Sequence, residues 1–381
     1  SSMPNMGLTW ETSTQLDLGF DLGMFNNRVQ IGMDYFNKET DNLIQSKTLP
    51  NTSGFSSVLT NIGKVRFYGF DLEINTHNIV GKDFNWDSRI TLTYVKNKVL
   101  KLPEAVSKRD KNRIGGYSLP DMPGYSKENP YEFGGIAEGE PLGRIYGYKT
   151  KHIITTQEQA DNATYDSGSK GWDWTKRKFL GTGKKAIGDY EWCDLDQNGV
   201  INGNDMYLLG NTIPHTTGGF NNMFNYKDFT LNIYLDFALG HSIANGIFQR
   251  QLGVILDGNI PVQAMTDAWS PGDDPTKKKY AIWGYSNSGA NNNYRENSDI
   301  FVQKADYLCI REVSLSYSMP KKVIGKLPMQ NVVFTIQGNN LHYFTEVIGL
   351  SPEMGAASTY GSGYNPYPPI RKYSLSVKVS F

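Results

Sequence analysis

The stretch Lys372–Phe381 (KYSLSVKVSF) alternates without a break. Tyr373, Leu375, Val377, Val379 and Phe381 fall on one parity, and Lys372, Ser374, Ser376, Lys378 and Ser380 on the other. A strand has a side-chain period of two, so one face is wholly apolar and the other polar or charged. Two solutions satisfy that pattern: a half-buried strand of a water-soluble sheet, or a barrel strand with lipid outside and water inside.

The pattern recurs along the chain. Leu16, Leu18, Phe20, Leu22 and Met24 oppose Gln15, Asp17 and Asp21 in Gln15–Met24, and Leu231, Ile233, Leu235, Phe237 and Leu239 oppose Thr230, Asn232 and Asp236 in Thr230–Gly240. Val29–Asn37, Gly69–Asn75, Trp86–Tyr94 and Asn331–Asn339 repeat it, and Ile213–Asn225 follows it weakly as a hairpin partner. A further strand begins near Phe301 and ends at Val313–Tyr317; Arg311 lands on its apolar parity, which reads as a bulge or as strand above a bilayer. With the terminal segment this makes nine strands.

The connections decide between the two solutions. Phe25–Asn27, Val80–Asp83 and Tyr226–Asp228 are tight and Met319–Gln330 is modest; Ser46–Thr60, Lys101–Thr212, His241–Ile300 and Glu346–Ile370 are long, and the two kinds alternate. Outer-membrane barrels have short periplasmic turns and long outer loops, whereas a soluble sandwich has no reason to sort them. The expectation is therefore an all-β transmembrane antiparallel barrel, with 101–212 and 241–300 as large extracellular loops. Single-chain bacterial barrels close on an even strand count, and an open edge in lipid leaves unpaired backbone groups. The remaining strands, and a plug, are expected from a segment outside these 381 residues.

Composition agrees. The 38 basic and 38 acidic side chains balance, which gives no electrostatic case for nucleic acid. Aromatic content is 13%, with 23 Tyr, and there are 39 Gly, which suits strands, turns and membrane interfaces. No apolar run is long enough for a transmembrane helix. No secretory signal is visible at SSMPNMGLTWE. Cys193 and Cys309 have no metal-type spacing; a bridge and two free thiols both remain open.

One segment has the spacing of a cation loop. Asp194–Asp205 (DLDQNGVINGND) places oxygens at Asp194, Asp196 and Asn198, Gly199 at the sharp turn, the Val200 carbonyl next and Asp205 at the twelfth position. A hard cation such as Ca2+ in a structural role fits this set. A hairpin held by Asx turns without an ion is the alternative. The long loops also carry Trp172, Trp174 and Trp192, then Trp269, Trp283, Tyr285 and Tyr294 near Asn291–Asn293. Flat aromatic faces beside amides suit sugar rings, so Trp172, Trp174, Trp269, Trp283 and Tyr285 are candidate substrate contacts; packing within the loops is the competing role. Val262–Trp269 reads as a short helix. The five His show no paired metal spacing, and no nucleophile elbow, phosphate loop or C-x-x-C occurs. Asp71 and Glu73 read as polar lumen wall, and no enzyme activity is expected.

An ordered series of segments resembles the SusC/RagA family of TonB-linked outer-membrane transporters nearly end to end: LTWETSTQLDLGF, NIGKVRFYGFDLEI, GEPLGRIYGYK (Gly139–Lys149), the acidic loop before Leu209–Pro214, ADYLCIREVSLSYSMP and YPPIRKYSLSVKVSF. Cys309 departs from the Arg usual there. The resemblance implies the later part of a 22-stranded barrel, a SusD-like lipoprotein lid, drive through TonB gripping a segment that is not in this chain, and residence in the outer membrane of a Gram-negative bacterium. It further implies import of a large nutrient, an oligosaccharide first and a peptide second. A passive or structural barrel is the remaining alternative.

Overall fold

The computed structural model describes the chain except residues 1, 49–53, 56, 62, 103–112, 115, 116, 120–130, 174, 254–261, 263–265, 275, 276, 284–291, 296, 326, 327, 350 and 354–368. Its frame is one nine-stranded sheet in sequential order. The strands are β1 (Thr12–Met24), β2 (Val29–Asp41), β3 (Lys64–Val80), β4 (Phe84–Lys101), β5 (Thr216–Tyr226), β6 (Phe229–Leu239), β7 (Tyr307–Ser318), β8 (Asn331–Thr345) and β9 (Lys372–Ser380). Every neighbouring pair is antiparallel. Among the described residues no helix is long and apolar enough to cross a membrane, which says nothing of strands.

Register aligns the apolar parity across strands. Leu22, Ile31, Ile74, Ile90, Phe220, Leu235 and Ile310 are successive cross-strand partners from β1 to β7. Lower down, Leu231, Leu315, Ile336 and Leu375 continue the row from β6 to β9. This face is uncovered: Leu375 is 73% exposed, Ile336 63% and Leu18 61%. Water would penalise such a band by about 25 cal/mol per Å², so its natural solvent is hydrocarbon. The opposite face carries Asp21, Asp34, Asp71, Glu73 and Thr93, four of them paired as Asp21↔Gly32, Asp34↔Asp71 and Asp71↔Thr93 in one polar field.

Turn chemistry explains one end of the sheet. Phe25, Asn26 and Asn27 all adopt positive φ, and Asn tolerates that region well. The β5–β6 hairpin turns on Lys227 and Asp228, with Tyr226 paired to Phe229. The β7–β8 link holds the short helix Lys321–Ile324. All long connections lie at the other end.

Two segments pair differently from the sequence reading. β5 starts at Thr216 instead of Ile213, because Met206–Asn211 pairs with Arg144–Tyr148 in the loop. The strand expected from Phe301 is two: Val302–Lys304 pairs with Ser242–Ala244, and β7 then joins the large sheet. The irregularity at Arg311 is a bulge, with register shifts against both β6 and β8. It turns the guanidinium to the polar side, where it meets Asp236 at 2.6 Å, Asn340 at 2.8 Å and Glu353. Val262 and Thr266 are helical, and 263–265 of the expected Val262–Trp269 helix lie outside the described residues. Cys193 and Cys309 are both free.

Candidate functional site

The loop end holds two small cores of its own. One packs Phe248, Leu252, Ala268, Tyr280, Tyr294 and Phe301; the other packs Tyr190, Trp192, Ile201 and Ala281. The loop residues around them are stitched by buried amides. Asn293 accepts from Tyr190 N at 3.0 Å and donates to Asp189 Oδ1 at 2.9 Å. Asn245 donates to Gln303 Oε1 and to Ile348 O.

The acidic loop sits against the second core. Asp194 Oδ2 accepts from Gly199 N at 2.8 Å, which needs the sharp turn at Gly199 (φ 79). Asp196 Oδ1 accepts from Asn198 N, and Asn198 Oδ1 accepts from Val200 N at 2.7 Å. Asn202 caps the one-turn helix Gly203–Asp205. Asp205, fully buried, accepts from Leu195 N at 2.8 Å and Asn202 N at 2.7 Å. Carboxylate oxygens of Asp194, Asp196 and Asp205 converge within 4.8 Å of one another. Asp194 Oδ1 is buried and has no hydrogen-bond partner. Burial and the neighbouring Asp196 and Asp194 charges push Asp205 up to about 6; burial, with Asp194, also raises Asp196. Three carboxylates this close need a proton or a cation between them. The donor set, all oxygen and partly desolvated, fits a hard cation.

This loop also joins the two longest connections. Val200–Ile201 pairs in parallel with Tyr165–Asp166. Asp166 Oδ2 then accepts from Arg295 Nη2 at 2.5 Å, both side chains being buried. The guanidinium lies 4.0 Å from the Tyr148 ring centroid and 4.9 Å from that of Trp192. Asp166 and Arg295 were not singled out in the sequence, since nothing local links residues so far apart.

The aromatic residues chosen from sequence do not gather around one cleft. Trp269 is buried, donates from Nε1 to Asp273 O, and packs its ring over Gly188, where a Cβ would lie 2.6 Å from it. Trp283 donates to Leu252 O at 2.8 Å and packs on the first core. Trp172 is half-buried in a hairpin with Phe179. Trp174 and Tyr285 lie outside the described residues. Of these rings, Trp269 and Trp283 fill loop interiors. On the polar face of the sheet, Asp21, Asp34, Asp71, Glu73, Asn75 and Thr93 border a recess of about 670 Å³. Arg89 donates to Glu73 at 2.8 Å and Thr93 to Asp71 at 2.5 Å. Such a wall can hydrogen-bond a hydrated polar solute.

Residues 1–126 match the family model described as TonB dependent receptor-like, beta-barrel. Over 387 aligned residues the chain is 28% identical to TonB-dependent receptor P3 of Formosa agariphila, covering 99% of this chain and 35% of that protein. It is 26% identical to TonB-dependent receptor SusC of Bacteroides thetaiotaomicron, covering 99% and 32%. The solved RagAB peptide transporter superposes with a TM-score of 0.69 at 19% identity, over 100% of this chain and 36% of that one. In fold and in these matches the chain resembles a TonB-dependent receptor β-barrel. It resembles SusC, among these relatives, in sequence and RagAB in fold. It spans about a third of the length of the relatives it matches. The relatives it resembles are TonB-dependent receptors, a family of outer-membrane proteins of Gram-negative bacteria that are not enzymes.

Proposed function

We propose that this chain forms part of the wall and outer loops of an outer-membrane importer for a large polar nutrient. The observation that carries the reading is the two-faced sheet: an exposed apolar band in register across the strands, backed by an acidic, hydroxyl-rich face. In the full protein, further strands pair with β1 and β9 to close the barrel. A plug and a TonB-binding segment outside these residues couple it to energy, and a SusD-like lipoprotein covers the loop end. The substrate is an oligosaccharide in the first reading, supported by the carboxylate and amide lining. A peptide is the second, since the RagAB neighbour is described as a peptide transporter. A structural Ca2+, held by Asp194, Asp196, Asn198, the Val200 carbonyl and Asp205, locks the two longest loops together; the partnerless Asp194 oxygen supports it.

Native mass spectrometry of the detergent-extracted full-length complex, with release of bound material, tests this. A ladder with one sugar repeat supports the glycan reading, and a heterogeneous peptide set replaces it with the second. Uptake that persists after TonB is deleted would sink active import and leave a passive barrel.

A further inference from the structure

The apolar face of β3 and β4 ends in positive charge. Ile90, Leu92 and Tyr94 share a parity with Lys96 and Lys98, with no register shift between them, and Tyr68 and Arg66 are the β3 partners of Lys96 and Lys98. From Trp86 to Lys96 the strand runs about 34 Å at ~3.4 Å per residue, or about 26 Å of depth at a ~40° tilt. That equals the height of a barrel's apolar band. The lysines therefore stand at the loop-end headgroup level, just past an aromatic pair of the kind that marks the interface.

Arg66, Lys96 and Lys98 gather there, and the one acid in register with them, Glu39 opposite Arg66 on β2, is bonded to Lys64. Arg66 and Lys98 are direct cross-strand partners, an arrangement that costs stability unless something negative lies between them. Arg66 donates Nε to Asn37 Oδ1 at 2.6 Å and stacks 5.1 Å from the Tyr68 centroid; Lys96 Nζ lies 5.5 Å from that of Tyr94. The nearby carboxylates are engaged elsewhere: Glu39 and Asp41 with Lys64, Glu140 with Arg144, and Glu138 with Leu102 N. Among the described residues, no carboxylate pairs with Lys96 or Lys98. Lys96 and Lys98 border a notch of about 410 Å³, whose lining also includes Tyr68, Asn211 and His215. The notch exists because β4 outruns β5: their pairing stops at Tyr94 and Thr216, leaving the upper end of β4 without that neighbour.

We propose that this notch binds the phosphate group of an outer-leaflet glycolipid, with Lys96 and Lys98 as its cationic contacts and the Tyr68 ring against the sugar. The assignment rests on the outer-membrane placement proposed above. A lipid is favoured over a soluble acid because the cations continue the lipid-facing parity.

The test uses the full-length protein in detergent, with native mass spectrometry reading retained lipid. Probes are phosphorylated lipid A, the same lipid dephosphorylated, and inorganic pyrophosphate. Wild type should retain phosphorylated lipid A. K96Q/K98Q should weaken it about 30-fold, at roughly fivefold per neutralised cation. K96R/K98R should keep it, showing that charge and not folding is the cause. Equal retention by K96Q/K98Q, or equal retention of the dephosphorylated lipid, would overturn the proposal. Pyrophosphate binding with the same lysine dependence but no retained lipid would overturn the lipid source. Import of nutrient by K96Q/K98Q cells reports the transporter reading separately, since these side chains lie on the opposite face from the polar wall.

Discussion

Replacing Arg295 with Met should loosen the loop end more than any single hydrogen bond there would suggest. The guanidinium is the buried partner of Asp166 and lies against two aromatic rings. Removing it strands a carboxylate that is 1% exposed. Breaking one side of a buried pair costs about 3–5 kcal/mol, most of it the desolvated charge left behind. Native-state hydrogen exchange reads this locally. Tyr165 N is bonded to Gly199 O and Asp166 N to Gly183 O, so both amides report opening of this junction. In R295M they should exchange roughly 150- to 5,000-fold faster, at about 1.36 kcal/mol per tenfold. The double variant D166N/R295M removes the charge as well and should recover most of that loss, to within about tenfold of wild type. If R295M changes these amides less than about tenfold, or if the double variant is no better than R295M, the stranded-charge argument fails.

Other consequences follow from the same geometry. Chelating Ca2+ should deprotect the amides of Leu195, Gly199 and Asn202, which donate to the acidic loop's carboxylates. Asp205 has a folded value of about 6 against 3.8 ordinarily, so its charge becomes a growing cost as pH rises from 3.8 and a full one above about 6. The protection added by Ca2+, corrected for intrinsic exchange, should be largest above pH 6 and shrink below it; a pH-independent effect would contradict the carboxylate cluster. Leu375→Lys on the uncovered face should cost about 2–4 kcal/mol in urea unfolding of the lipid-reconstituted full-length barrel, while Ser376→Lys on the other parity should stay within about 0.5 kcal/mol. Gly183→Ala should destabilise the Asp166 bridge by about 1–3 kcal/mol, seen as faster exchange at Asp166. Gly183 has φ 77, and a Cβ would sit 2.0 Å from the Tyr165 ring.

The sheet was legible because its determinants are local. A period of two sets each strand's face, and Asn and Gly mark the turns. Even the parity break at Arg311 announces its bulge. β5 was misplaced by three residues because Ile213 continues the alternation while Pro214 and the Met206–Asn211 pairing end it. The loop end was legible only where spacing is itself chemical, as in Asp194–Asp205. Its other organising contacts join residues more than a hundred positions apart, such as Arg295 with Asp166 and Asn293 with Asp189. Tryptophan type and neighbourhood cannot distinguish a stacking platform from a core residue. Trp269 and Trp283 have the composition of the first and the packing of the second.

The bulge at Arg311 makes β7 a strand with two phases. Below it, odd-numbered Val313, Leu315 and Tyr317 share the outward row; above it, even-numbered Leu308 and Ile310 do. The extra residue acts as a frame correction between two otherwise incompatible reading registers. Deleting any one residue from the bulge would turn Leu308 and Ile310 toward the water-filled side and Cys309 toward the hydrocarbon. Insertions and deletions near Arg311 should therefore be tolerated only in twos, whereas those in the loops are free of parity.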